Sequence, residues 1–194
     1  MPLSHFSEDS TIARFMPRSP LARPDVEPLV WAIDDWHAPV YFFPHDCPRV
    51  CFWPLPTTTP EDAARWFAAV PGRMVIAIES AWLERLRATR LYHRYRMPEE
   101  TFVDTYDHGV HVSRELVVPL SVEPVGDLLA ALTDAGVELR ITPSLSIAME
   151  RGPGGEVSQE LLADASHGLY GSPALGPVRK VSPPSVSGTS SSSR

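Results

Sequence analysis

The chain has almost no cysteine: Cys47 and Cys51 are the only two in 194 residues. That is no disulfide framework, and it points to a reducing, cytoplasmic compartment. Long apolar runs are missing too. No stretch approaches the roughly 20 residues a membrane helix needs. The opening residues lack a basic region followed by an apolar core, so no secretory leader is expected. Positive charge is scarce: 17 Lys and Arg stand against 24 Asp and Glu, a formal net charge of -7. General nucleic-acid binding needs a basic face, and this balance argues against one, although Arg85, Arg87, Arg90, Arg94 and Arg96 crowd one stretch. Gly-rich strand-to-helix loops are absent, which removes the Walker and dinucleotide phosphate cradles; Gly152, Gly154 and Gly155 lie in a Pro/Ser-rich context instead. No internal repeat is present.

What the chain does have is proline, 21 of them, punctuating short elements. Apolar residues make up 43%, enough for one domain with a real core. Strands are expected at Leu3 to Ser7, Leu29 to Ile33, Arg49 to Trp53, Met74 to Ile78, Leu91 to Arg96, Val110 to Val118 and Val137 to Thr142, from apolar runs or alternation. Ser10 or Thr11 is expected to cap a brief helical turn carrying Ile12 and Phe15. Asp34 and Asp35 offer a cap for a short helix with Trp36, Val40 and Tyr41 on one face.

Thr59-Pro60-Glu61-Asp62 is the best helix start, joining a cap, a proline at the first position and two acids. Its stripe is Trp66, Phe67 and Val70, and Pro71-Gly72 stops it. Ser80 is expected to cap a helix to about Arg90, and Asp127 one carrying Leu128, Leu129 and Leu132 up to Gly136. Helices and strands do not alternate regularly. The fold class expected is therefore α+β, a single domain over residues 1–147 with a mixed or mostly antiparallel sheet and short flanking helices. Residues 148–194 are rich in Gly, Pro and Ser and read as a disordered tail.

The densest chemistry lies in Leu29 to Val50, LVWAIDDWHAPVYFFPHDCPRV, together with the opening His5-Phe6-Ser7-Glu8. His5, Tyr41 and Glu115 form the first candidate set. Their structural alternative is a core-edge histidine, a packed tyrosine and a solvated glutamate. Arg18 and Arg49 follow prolines, and a guanidinium held so could clamp phosphate; the alternative is an ion pair with Asp34, Asp35 or Asp46. His45, Cys47 and Cys51 offer zinc-type donors but lack a second knuckle, and no metal is favoured. Asp104, Asp107, His108 and His111 could serve a mixed metal site, or simply a polar loop entering a strand. A Ser7, His and Asp34 triad lacks the nucleophile elbow. A separate possibility is an aromatic cleft of Trp31, Trp36, Tyr41 and Phe43 that binds a small ligand or a protein without catalysis.

His5-Phe6-Ser7, Tyr41 and Glu115-Leu116-Val117-Val118-Pro119 resemble motifs of the ADP-ribosyltransferase-like fold, which includes rifampin ADP-ribosyltransferase and RNA 2′-phosphotransferases. Ser113-Arg114-Glu115 stands where that fold often has Glu-x-Glu. The resemblance implies an enzyme or nucleotide-binding domain acting on NAD or a related phosphorylated nucleotide. His5 and Ser7 would hold ribose, Tyr41 would cover the departing base, and Glu115 would stabilise the sugar cation as the catalytic acid residue. Trp31, Arg18 and Arg49 would complete the cofactor-binding set. No protein target is legible. The stretches HFSEDSTIARFMPR, VWAID, YFFPHDCPRV, VSRELVVPLSVEPVGDLL and GVELR are also similar to an uncharacterised bacterial family, over about residues 3 to 145. That likeness implies a domain boundary and no activity.

Overall fold

The computed structural model describes residues 1–19, 25, 27–56, 58–67, 73–90, 92–145 and the strand 157–162. Ten strands and three α-helices follow in order: β1 (Leu3–Ser7), β2 (Val30–Asp34), β3 (Arg49–Pro54), α1 (Pro60–Phe67), β4 (Met74–Glu79), α2 (Leu83–Ala88), β5 (His93–Met97), β6 (Val103–Asp104), β7 (Val110–Ser113), β8 (Ser121–Pro124), α3 (Leu128–Asp134), β9 (Val137–Thr142) and β10 (Val157–Leu162). Short 3-10 turns occupy Ala38–Tyr41 and Ser80–Trp82. The strands form two sheets. One has the order β6-β7-β2-β1-β5-β8 and is antiparallel throughout. The other has the order β10-β3-β4-β9, with β4 and β9 parallel. The two are interleaved in sequence: β1 and β2, then β3 and β4, then β5 to β8, then β9.

Strand alternation sorts the side chains into three cores. Ile33 of β2, Cys51 and Trp53 of β3, Met74, Ile76 and Ile78 of β4, and Val110 and Val112 of β7 share the main core with Leu86, Leu128 and Leu132 of the helices. The intervening residues of β2, β3 and β4 face the other side of their sheets, where two smaller cores form. Val30 and Ala32 of β2 meet Leu3, Tyr95 and Met97 under Phe15 and Val117. Val50 and Phe52 of β3 meet Val75 and Ala77 of β4 under Trp66 and Phe67 of α1. The expected α+β class with short helices and a mixed sheet holds at this level. Among the described residues no helix is long and apolar enough to cross a membrane.

Local capping follows the sequence. Thr59 Oγ1 accepts the Asp62 N–H at 3.1 Å and donates back to its carboxylate. Asp127 Oδ1 accepts the N–H groups of Leu129 and Ala130, both at 3.0 Å. Three expectations need correction. No helical turn forms at Ser10 to Phe15; Asp9 instead takes the N–H of Thr11 at 2.7 Å and breaks the run. Asp34 does not cap the Ala38–Tyr41 turn, whose N-cap His37 makes no side-chain cap bond. The strand expected from Val110 to Val118 stops at Ser113, because Phe15 bridges Val117 from another direction, and the chain re-enters the sheet as β8 past Pro119. Val157–Leu162, in the stretch read as a tail, pairs antiparallel along β3. Val70, Pro71-Gly72, Leu91, Gly152, Gly154, Gly155 and residues 163–194 lie outside the described residues.

Candidate functional site

The centre of β1 and β2 carries a small, half-open cleft. Alternation explains its walls. In the register Ser4 opposes Ile33, so Ser4, Phe6, Trp31 and Ile33 share the face turned to the main core. Tyr41 closes the cleft from the 3-10 turn and Val110 from β7. Proline in the first turn and the apolar Ala38 and Val40 seat that turn in the core, leaving the Tyr41 ring at the rim. Phe6 stands between two parallel rings, Tyr41 at 6.0 Å and 3° and Tyr92 at 6.1 Å and 12°. The floor is polar at one point. Ser4 is fully buried, and its hydroxyl accepts from Arg94 Nε at 2.8 Å. Arg94 in turn pairs with Asp35, which also holds Arg96 at 2.9 Å.

His5 also borders the cleft, but its ring packs on Phe15 at 4.6 Å, across the sheet from Phe6. Its Nδ1 lies 2.9 Å from the Trp31 carbonyl. A carbonyl can only accept, so Nδ1 carries the proton and the ring is the Nδ1–H tautomer. Burial lowers its pKa, the carbonyl bond partly restores it, and His45 lowers it further. A neutral His5 therefore pins β1 to β2 directly behind Trp31.

The other expected site residues are placed elsewhere. Glu115 is exposed in the bend after β7, where its N–H bonds to Ser113 Oγ at 3.2 Å, and it does not line the cleft. Ser7 Oγ closes a turn by accepting the Asp9 N–H at 3.1 Å. Arg18 is an exposed residue whose backbone bridges Leu29. Arg49 is 3% exposed and donates to the carbonyls of Val40 at 2.5 Å and Cys47 at 2.8 Å, with Phe43 beneath it. It clamps the 38–47 loop through carbonyls rather than through the acids expected. Phe43 is wholly buried in the core, and Trp36 lies beyond the cleft.

Among the described residues, no group of His, Cys, Asp and Glu side chains converges as metal ligands. Cys51 faces the main core, and burial pushes the Cys47 thiol up to about 11. Asp104 and His111 oppose each other on β6 and β7, but Asp104 caps the Tyr106 N–H and His111 Nδ1 meets the Gly109 carbonyl.

Thus the structure brings together His5, Trp31 and Tyr41, and leaves out Glu115, Ser7, Arg18 and Arg49. Sequence reading overlooked Ser4 and Phe6, although their position two residues apart beside His5 was the available signal. No curated protein and no solved structure matches the chain. The expected NAD-dependent ADP-ribosyltransferase chemistry is withdrawn, because Glu115 does not line the cleft and the matched family is one of unknown function. That match covers residues 4–151, and the chain belongs to a family of unknown function, DUF6886.

Proposed function

We propose that the chain is a small-molecule binding module whose β1–β2 cleft takes a flat, largely apolar ring. The observation that carries this is the cleft itself, edged by Phe6, Trp31 and Tyr41 with the Ser4 hydroxyl at its base. Aromatic edges favour a planar partner by stacked or edge contacts. Few residues line the cleft, and most are apolar or aromatic, which suits a single flat ring rather than a dinucleotide. Arg94 fills the acceptor side of Ser4, leaving that hydroxyl proton to meet an acceptor atom on the ligand.

Saturation-transfer NMR with one- and two-ring heteroaromatics tests the reading. Transfer to the ring protons is expected in the full chain, with affinity falling about tenfold in Tyr41→Ala, the loss of one aromatic contact. No transfer from any ring, or transfer indifferent to Tyr41→Ala, would remove the cleft as a binding site.

A further inference from the structure

Strand β2 leaves the cleft and ends in a different kind of cluster, built from residues at the ends of β2 and β3 and just before β4. Asp34, its last residue, is 5% exposed. Its Oδ1 accepts the backbone N–H of His37 at 2.7 Å, and both of its oxygens lie 3.0 Å from His37 Nδ1. Burial would raise this carboxyl, but the bonds from His37 and Trp36 outweigh it and hold it below the ordinary carboxylate value. Asp34 is therefore ionised and fixes the His37 Nδ1–H tautomer.

Two indoles carry the rest. Trp53 of β3 meets His37 at 5.2 Å, His108 at 5.1 Å and Trp36 at 5.9 Å, all edge-on. Arg73, one residue before β4, lies 5.6 Å over Trp36. Its Nε is buried and, among the described residues, has no hydrogen-bond partner. Asp34 and Asp35 act on it only through space. Asp34 is occupied by His37, and Asp35 by Arg94 and Arg96. Asp107 stands 3.9 Å from His108. Asp34 is thus engaged by His37 and Asp107 stands by His108, while Trp36, 37% exposed, forms the open wall beneath the Arg73 guanidinium.

The backbone is shaped for this arrangement. Tyr106 and His108 adopt φ of 58° and 44°, and Gly109 follows at 77°. A side chain at Gly109 would place its Cβ 2.2 Å from His37 Nδ1 and 2.3 Å from Asp34 Oδ2. Left-handed bulky residues persist only where surroundings over-determine them, and they cluster at binding sites.

We infer that this corner binds the oxyanion of a small ligand, a phosphate or carboxylate group, on the Arg73 guanidinium where it lies over Trp36. An unmatched buried N–H beside a planar guanidinium is what a bidentate oxyanion satisfies. The chain's net charge of -7 gives anions no general attraction, so binding would be local.

Titration of the full chain with sodium phosphate and, separately, sodium acetate at fixed ionic strength tests this by tryptophan fluorescence. Saturable binding is expected, weakened by about tenfold in Arg73→Gln and by less in Arg73→Lys, which keeps a point charge but loses the fork. Tighter phosphate binding assigns the ligand a phosphoryl group, and tighter acetate binding a carboxylate. The Arg73 Nε–H signal in the 15N–1H spectrum of the unmodified chain should shift in step, a readout that stands even if the variants misfold. No saturable binding of either anion, or binding that leaves the Nε–H signal unmoved, overturns the inference.

Discussion

The two ends of β2 solve different problems with the same strand. At Trp31 and Ile33 the side chains are set by alternation alone, and the cleft is a gap between rings in an otherwise ordinary core. At Asp34 the strand ends, and position is set by turns, hydrogen bonds and three left-handed residues. The first region is apolar and can repack. The second is polar and over-determined, so small changes should propagate. A strand interior makes shape, whereas a strand end makes chemistry.

The sharpest way to break that contrast is at Gly109. Gly109→Ala strains a left-handed backbone and drives a methyl into the Asp34–His37 pair, and it should cost about 3 kcal/mol or more. Gly126 and Gly136 share the positive φ but have open space around them, so alanine there should cost about 1–2 kcal/mol. Thermal unfolding of the three variants separates strain from collision. Equal losses would mean that the corner is no more tightly built than a surface turn.

Asp34→Asn should come next, at about 1–2 kcal/mol near neutral pH, from the loss of a charge-assisted bond to His37. The sign follows from its depressed pKa. The folded state favours the carboxylate, so this stability is present above 3.8 and is lost as pH falls through the lower folded value. The melting-temperature gap between wild type and Asp34→Asn should therefore hold at pH 5 and close in stronger acid. A gap that does not change with pH would show that the charge is not what Asp34 contributes.

The smallest effect separates the regions by their histidines. His5, beside the cleft, and His108, in the corner, are both lowered from 6.5, first by burial. The unfolded chain takes up their protons first, so stability falls as pH drops below 6.5. His5→Gln and His108→Gln should each flatten part of the melting-temperature slope between neutrality and pH 5. If His108→Gln leaves the slope intact while His5→Gln flattens it, only the cleft histidine is held neutral.

How much of this was legible depended on which force did the placing. The apolar runs of β2 and β4, the alternation of β3 and the Thr59 and Asp127 caps showed directly in the sequence, because each is set by neighbours a few residues away. Trp31 and Tyr41 were legible for the same reason. β8 was not. Its four residues are all exposed, it ends at Pro124, and it carries no buried alternation to read. β10 fell in a stretch whose composition argues against order. Glu115 was misplaced because the apolar Leu116 to Val118 extended the expected strand past the bend after Ser113. The corner was unreadable as a unit, since Trp36, Trp53 and Arg73 meet only after both sheets form. Its single local trace was the Asp34–His37 spacing, joined from afar by His108-Gly109.

The interleaving of the two sheets carries a kinetic consequence. β9 docks parallel to β4 only after the chain has left the second sheet, built β5 to β8 of the first and returned, bringing Met74 to Val137. Neither sheet is a contiguous stretch of sequence, so no cut in the chain yields one of them whole. Loop-closure entropy is lost before the distant pairing can offset it, which slows such topologies. The molecule should therefore fold late and all at once, with half-built forms exposing unpaired strand edges, and a nascent chain would stay open until residues near 142 had been synthesised.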